Sequence, residues 1–553
     1  MSDKPHVADK DWWRSAVFYQ IYPRSFLDTN DDGLGDLPGI TRRIEYLRDL
    51  GVDALWISPF YPSPMKDAGY DISDYCNIDP AFGTLDDFRE LVERAHSQGI
   101  RIIVDLVTNH TSDQHPWFTE ARQSRDAGKH DWYIWHPGKK RRVLKFLKPR
   151  RPNNWISQFE LRSAWWWNDK TKEYYLGTFT RHQPELNWRN DALKDSGFDV
   201  MRFWLDLGVD GFRIDVINWF IKDDRFRSNP FKLNVTPDLF QYHIYDRNRP
   251  ETLELTKEFR TITSAAGGSE RILVGEVFTK DPAIAAAYHG EDKLHMAFNF
   301  EFLYNPWKAT EFYAAIKRWY DLLPDGAWPN FTLSNHDQRR HYSRYATGNE
   351  TDARARVAAA LLLTLRGTPF LYYGEEIGMS DLDVKRRDLV DPLGRKTWPL
   401  KSHGRDPERT PMQWTSEPNA GFTSKGVRPW LPINPNHTTK NATEQAADEG
   451  SLHSYYKKLI ATRKEHASLR DGELVFVEHG ENDVLSYVRT SGVESCAVWL
   501  NFGNSPRVVI PGEAGGHRRV VFGTHRLRDD ALTDDRLLLE PYEVLIARVE
   551  PSD

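Results

Sequence analysis

From about Ala16 to Gly374 short apolar runs alternate with longer amphipathic ones, and this alternation restricts the fold more than any other feature of the chain. The short runs are AVFYQIY, VDALWI, IRIIVDLV, GVDGFRID, RILVGE, LHMAFNF, WPNFTLSNHD and TPFLYYG. Each is rich in Val, Ile, Leu or Phe and stops abruptly at polar residues, as buried parallel strands do. Between them lie helical segments such as ITRRIEYLRDLG, DDFRELVERAHSQG, SGFDVMRFWLDLG and DARARVAAALLLTLRG. Eight strands with intervening helices predict an α/β fold, a (β/α)8 TIM barrel.

Two stretches break the rhythm. Between His110 and about Pro184 the text fills with Trp, Asn, Lys and Pro, too long for a barrel loop. It predicts a lid domain inserted after strand 3. From about Gly472 short alternating runs (LVFVEHG, VLSYVRT, SCAVWLNFG, RVVIPG, YEVLIARV) predict a C-terminal all-β sandwich. The expected organisation is a barrel over 1–109 and 185–471, an inserted domain over 110–184 and a sandwich over 472–553.

Charge and cysteine usage narrow the setting. Lys plus Arg is 74 against 80 Asp plus Glu, a net charge of -6 that gives no reason to expect nucleic acid as partner. Cys76 and Cys496 form no framework, so a reducing compartment is expected. MSDKPHVADKDWW has no apolar core of a signal peptide, and no stretch approaches the length of a membrane helix. The expectation is a soluble cytoplasmic protein without a membrane partner; oligomeric state is not legible.

Three carboxylates close three of the strand-like runs: Asp215, Glu276 and Asp337. A nucleophile, an acid/base and a group holding substrate hydroxyls make up a retaining glycosidase. Strand alternation puts Arg213 and Asp215 on one face, where the guanidinium favours an ionised nucleophile. Glu276 follows a wholly apolar strand, a desolvated setting that suits an acid. Any one of the three alone reads as a capping or salt-bridging carboxylate; three at strand ends point to a site.

The segment DTNDDGLGD places oxygens of Asp28, Asn30, Asp32 and Asp36 at alternate positions, with Gly33 allowing a sharp turn. With Leu34 included, these are the candidate ligands of a structural Ca2+ or Mg2+. The alternative is an acidic turn without an ion. No cofactor is expected for catalysis. GKKRRVLKFLKPRR, from Gly138 to Arg151, reads as a solvated basic loop or an anion site beside the pocket. Trp165, Trp166 and Trp167 read as packing rather than a sugar platform.

DLVTNH (Asp105 to His110), GFRIDV (Gly211 to Val216), GEVF (Gly275 to Phe278) and SNHDQ (Ser334 to Gln338) resemble the four signature regions of glycoside hydrolase family 13. YQIYPRSF, GYDISDY, HPWF, PNNW, QPELNW, GTPFLYYGEEIGM and RTPMQW resemble its oligo-1,6-glucosidase and α-glucosidase group. The resemblance implies Asp215 as nucleophile, Glu276 as acid/base and Asp337 as transition-state stabiliser. Arg213, His110 and His336 would touch the scissile glucose, and Asn109 and Tyr70 would shape its pocket. Asp105 would orient its neighbours. Asp71 and Arg409 would pair to grip the non-reducing end and make the enzyme exo-acting.

The implied activity is release of α-glucosyl residues from short oligosaccharides of the isomaltose or maltose type. The same glucosyl-enzyme intermediate also permits transglucosylation or a sucrose- or trehalose-type isomerisation. The RLDRD signature of isomaltulose synthases is absent; the region reads QRRHYSRY. In this group Val at position 216 tends to accompany α-1,6 cleavage. The fifth family region usually reads QPDLN and here reads QPELN, with Glu185 for Asp. Transporter heavy chains share the fold without a working site, but they carry a membrane helix and lose catalytic carboxylates.

Overall fold

The eight expected strands form one parallel sheet that curls into a near-closed barrel. The computed structural model describes residues 10–141, 148–233, 240–399, 404–492, 494–511, 517–534 and 536–550. The barrel begins with β1 (Phe18–Ile21), β2 (Ala54–Ile57) and β3 (Arg101–Leu106). The insertion carries β4 (Trp135–His136), β5 (Trp165–Asn168) and β6 (Glu173–Leu176). The barrel resumes with β7 (Gly211–Ile214), β8 (Ile272–Gly275), β9 (Met296–Ala297), β10 (Asn330–Thr332) and β11 (Thr368–Tyr372). Its order is β10-β11-β1-β2-β3-β7-β8-β9.

Apart from Arg101, every residue of these eight strands is buried, which is why they read as unbroken apolar runs. Alternate residues divide between two cores. Phe18, Trp56, Ile103, Val274 and Phe370 fill the barrel interior, where Phe18 stacks on Phe370 at 4.5 Å. Tyr19, Leu55, Ile102, Phe212 and Leu273 face the surrounding helices. Local signals set the helix ends: Thr84 and Asp87 form a capping box at Leu85–Ser97, and Asn190 caps Asp191–Asp206.

Two elements are shorter than their text suggests. ITRRIEYLRDLG breaks at Arg43 into the end of Leu37–Arg42 and Ile44–Leu50, the second stopped by left-handed Gly51 at φ 99°. LHMAFNF yields only β9, because the Asn299 side chain accepts the Glu301 and Phe302 N–H groups and starts helix Phe300–Tyr304.

The insertion folds as a small antiparallel sheet in the order β4-β6-β5. Trp165 is buried against Trp155 at 5.9 Å, Trp166 donates to the Gly177 carbonyl, and Trp167 meets Tyr174 edge-on. The Trp run is packing. PNNW is a clamp: Asn153, Asn154 and Trp155 donate to the carbonyls of Phe226, Asn229 and Arg227. Of the basic run, Lys139 and Arg150 pair antiparallel at its base, and 142–147 lie outside the described residues.

The C-terminal strands are β12 (Glu473–Phe476), β13 (Val484–Ser491), β14 (Glu494–Asn501), β15 (Arg507–Val509), β16 (Arg518–Gly523), β17 (Ala531–Leu532), β18 (Leu537–Leu539) and β19 (Val544–Val549). They form a six-stranded and a two-stranded antiparallel sheet around Trp499, Val509, Val520, Leu537 and Leu545. Among the described residues, no helix is long and apolar enough to cross a membrane.

Candidate active site

Strand register assembles the site. Asp105 on β3 stands opposite Arg213 on β7, and Ile214 opposite Gly275 on β8. Asp215 and Glu276 each follow by one residue, so both carboxyls emerge at one level of the barrel's C-terminal rim. Their N–H groups donate across the sheet to Leu106 and Ile214 carbonyls at 3.1 and 2.9 Å. Glycine at 275 keeps this rim tight, since a Cβ there would lie 2.4 Å from Leu294 Cδ1 and 3.2 Å from Ile217 Cγ2 and both side chains would have to shift.

Arg213 is the hub. Its Nη1 donates to Asp105 Oδ1 at 2.9 Å and to Asp215 Oδ1 at 2.7 Å, and its Nη2 lies 2.5 Å from Glu276 Oε2. The guanidinium rests over Trp56, 5.2 Å from the ring centre, at the site's floor. The contact with Asp215 is the expected one, but its net effect differs from the expectation. Burial, with repulsion from Glu276, Asp105 and Asp337, outweighs Arg213 and raises Asp215 well above the usual carboxylate range. Spacing along β7 could not reveal that one cation serves three carboxylates. Burial likewise pushes Asp105 up to about 6, against the pull of Arg213 and Tyr70.

Asp337 is treated differently. Burial opposes its ionisation, yet His336, Arg405 and Arg409 hold it well below the usual range. Arg409 Nη2 lies at 2.5 Å and Arg405 Nη1 at 3.2 Å. Burial pushes His336 itself well below 6.5, so at neutral pH the imidazole is uncharged and the two guanidiniums keep Asp337 ionised. With Gln20 donating to Nδ1 at 2.7 Å, the His336 proton sits on Nε2, 2.6 Å from Tyr70 Oη and 3.2 Å from Asp337. Tyr70 passes the chain on, donating to Asp105 Oδ2 at 3.0 Å. His110 lies against the Tyr70 carbonyl and Gln183, its Nδ1 3.1 Å from Asn109 Nδ2, and burial lowers it to about 4.

The expected Asp71–Arg409 pair is not formed. Asp71 is fully buried within its own loop, accepting from Ser63 Oγ and the N–H groups of Lys66 and Asp67, each at 2.9 Å. Burial pushes it up to about 6. Arg409 turns instead to Asp337 and to the His336 carbonyl at 2.6 Å. The charged pair is Asp67 with Arg405, at 2.7 Å. Arg405 also reaches Asp391 at 2.7 Å, and Gln183 donates to Asp67 Oδ2 at 3.0 Å. Asp67, Arg405 and Gln183 were missed although each adjoins a motif. Asp67 precedes Tyr70 by three residues and Arg405 precedes Arg409 by four, and text alone does not say which side chain reaches the pocket.

Val216 adopts φ 39°, ψ 43°, a left-handed conformation uncommon for a β-branched residue. That turn aims its N–H at Glu276 Oε2, 3.2 Å away. Its side chain joins Phe159, Phe179 and Trp219 in a small apolar cluster. Glu185, the departure from QPDLN, is buried with its carboxylate 2.6 Å from Lys222 Nζ.

The loop from Asp28 to Asp36 is wound by its own side chains. Asp28 accepts from the N–H groups of Asn30, Asp31 and Gly33, Asn30 from Asp32, and Asp32 from Leu34. Gly33 sits at φ 87°, and a Cβ there would lie 2.3 Å from the Arg428 carbonyl oxygen. Asp36 accepts from Thr29 and, at 2.7 Å, from Gly39, capping helix Leu37–Arg42. Asp28 Oδ1 and Asp36 Oδ2 each accept two hydrogen bonds, but Asp28 Oδ2, Asn30 Oδ1, Asp32 Oδ1 and Asp36 Oδ1 accept one each and keep a second lone pair, the hard-oxygen donor type that suits Ca2+ or Mg2+.

Residues 20–472 match the alpha amylase catalytic domain. The chain is 43% identical over 511 residues to a probable alpha-glucosidase of Rhizobium meliloti, covering 89% of this chain and 90% of that protein. It is 35% identical over 575 residues to an oligo-1,6-glucosidase of Parageobacillus thermoglucosidasius, covering 98% and 99%. The crystal structure of the alpha-glucosyl transfer enzyme XgtA has a TM-score of 0.90 at 38% identity, over 98% of this chain and 99% of that one. End-to-end likeness of this kind, on a barrel whose rim carries Asp215, Glu276 and Asp337, settles the lineage: the chain belongs to glycoside hydrolase family 13, among its α-glucosidases and oligo-1,6-glucosidases.

Proposed function

We propose that the protein is a retaining, exo-acting α-glucosidase that releases terminal non-reducing glucose from short oligosaccharides of the isomaltose and maltose type. The observation that carries this reading is one buried guanidinium, Arg213, touching Asp105, Asp215 and Glu276 at the barrel rim. Asp215 attacks the anomeric carbon while Glu276, as the acid, delivers a proton to the departing oxygen. Substrate selects this arrangement of the proton, since the leaving oxygen accepts from Glu276 and the electrophilic carbon favours an ionised Asp215. Asp337, kept ionised, accepts sugar hydroxyls as charge develops. Glu276 then activates water to release glucose from the glucosyl-enzyme.

Asp67, Arg405, Gln183 and His110 close the pocket behind one glucose, which gives exo action. Likeness to an alpha-glucosyl transfer enzyme supports capture of part of the intermediate by a second sugar. The Asp28–Asp36 loop holds a structural Ca2+ or Mg2+ that takes no part in the chemistry. Two free thiols, Cys76 and Cys496, support a reducing compartment such as the cytoplasm. The test is kcat/KM for isomaltose and maltose side by side, following glucose release. Turnover of either supports the reading, with preference for isomaltose favouring the oligo-1,6-glucosidase type; turnover of neither overturns it.

A further inference from the structure

We propose that the buried Glu185–Lys222 pair is a positioning latch that sets the wall beside the leaving sugar, and through it the linkage preference. The inference rests on the α-glucosidase reading and adds a determinant to it. Glu185 comes from the end of the insertion and Lys222 from the segment after Asp215. Both are almost wholly buried, at 1% and 4% exposure, and their charged atoms lie 2.6 Å apart. Glu185 Oε1 accepts the Thr178 N–H at 3.1 Å, and Lys222 Nζ donates to the Trp219 carbonyl. The pair thus joins the backbone next to Phe179 to the backbone of Trp219.

Those two residues are the facing halves of a wall. Their rings lie 5.6 Å apart, with Val216 in the same cluster and Phe159 5.8 Å from Phe179. Phe159 and Phe179 belong to the insertion, Val216 and Trp219 to the barrel, so the wall straddles a seam. It adjoins the acid, because Val216 donates its N–H to Glu276 Oε2. With Glu276 as the acid, the leaving oxygen and the sugar behind it would depart past this surface. A buried ion pair is poor evidence of net stabilisation, since desolvating both charges offsets much of their attraction. Its effect here is geometric: it fixes the seam. Replacing Glu185 by Asp withdraws the carboxylate by about 1.5 Å, so the contact survives only if Lys222 or the backbone of the seam shifts.

The test compares wild type with Glu185→Asp and with the double variant Glu185→Met, Lys222→Met, which removes both charges and leaves neither unpaired. Each is assayed on isomaltose and maltose, with glucose inhibition and Tm measured in parallel. Wild-type turnover of neither sugar overturns the α-glucosidase reading itself. Given wild-type turnover, the latch predicts that both variants change the isomaltose-to-maltose ratio of kcat/KM by about tenfold. The glucose inhibition constant stays within about twofold, because glucose occupies the subsite of Asp67 and Arg405, across the cleavage point. A lower Tm with an unchanged ratio in both variants means that the pair only holds the fold, and overturns the proposal.

Discussion

Asp67 and Arg405, 338 residues apart in the chain, meet at 2.7 Å beside Asp337. Both are buried, so removing either leaves the other without its counter-charge. Asp67→Ala is expected to lower kcat/KM by about 100-fold or more, mostly through KM. The loss is alike for isomaltose and maltose because the pair acts on the glucose they share. Asp71→Asn, within its own loop, is expected to lower Tm while changing KM little. Steady-state kinetics and thermal unfolding of the two variants check the assignment.

Asp105 tunes the ionisation of Asp215. Its charge raises Asp215, so Asp105→Asn lets the Asp215 carboxyl ionise at lower pH. The acidic limb of the kcat/KM–pH profile, which ionisation of the nucleophile sets, then moves towards acid; an unmoved limb or an upward shift contradicts the account. Stability carries a second sign. Asp105 is raised in the fold to about 6, so its contribution is full below the unfolded value of about 3.9 and is lost as pH rises through 6. The Tm of Asp105→Asn is therefore expected to be flatter than wild type across that window.

Much of this was legible because parallel barrel strands bury both faces and end at the chemistry. IRIIVDLV, GVDGFRID and RILVGE each announce a strand and the polar group at its rim. What the text hides is lateral. Arg213 sits two residues from Asp215 in sequence, but only strand register shows that Asp105 and Glu276 share it, which reverses the expected shift of Asp215. Asp67 and Arg405 come from loops whose turns decide which of two nearby charged residues faces inward. Pattern cannot rank Asp67 against Asp71 when both stand beside the same motif.

Val216 offers a direct probe of linkage. Val216→Thr keeps the β-branched shape in its left-handed turn and adds a hydroxyl to the wall it forms with Phe179 and Trp219. The isomaltose-to-maltose ratio of kcat/KM is expected to fall by about tenfold. An unchanged ratio would place linkage selection elsewhere on the rim.

Chelation tests the Asp28–Asp36 loop. Removing divalent cations is expected to lower Tm by several degrees, and adding Ca2+ to restore it, since an ion that binds only the folded chain stabilises by mass action. Asp32→Ala, with its carboxylate at the exposed tip, is expected to abolish the response. A chelator-insensitive Tm in the wild type contradicts the cation assignment.

The most direct test of the central claim is the anomer of the first glucose released from isomaltose, followed by proton NMR before mutarotation. A retaining displacement through Asp215 predicts α-glucose, and Asp215→Asn is expected to form neither anomer at a measurable rate. β-Glucose as the first product would mean a single inverting displacement, and would contradict the roles assigned here to Asp215 and Glu276.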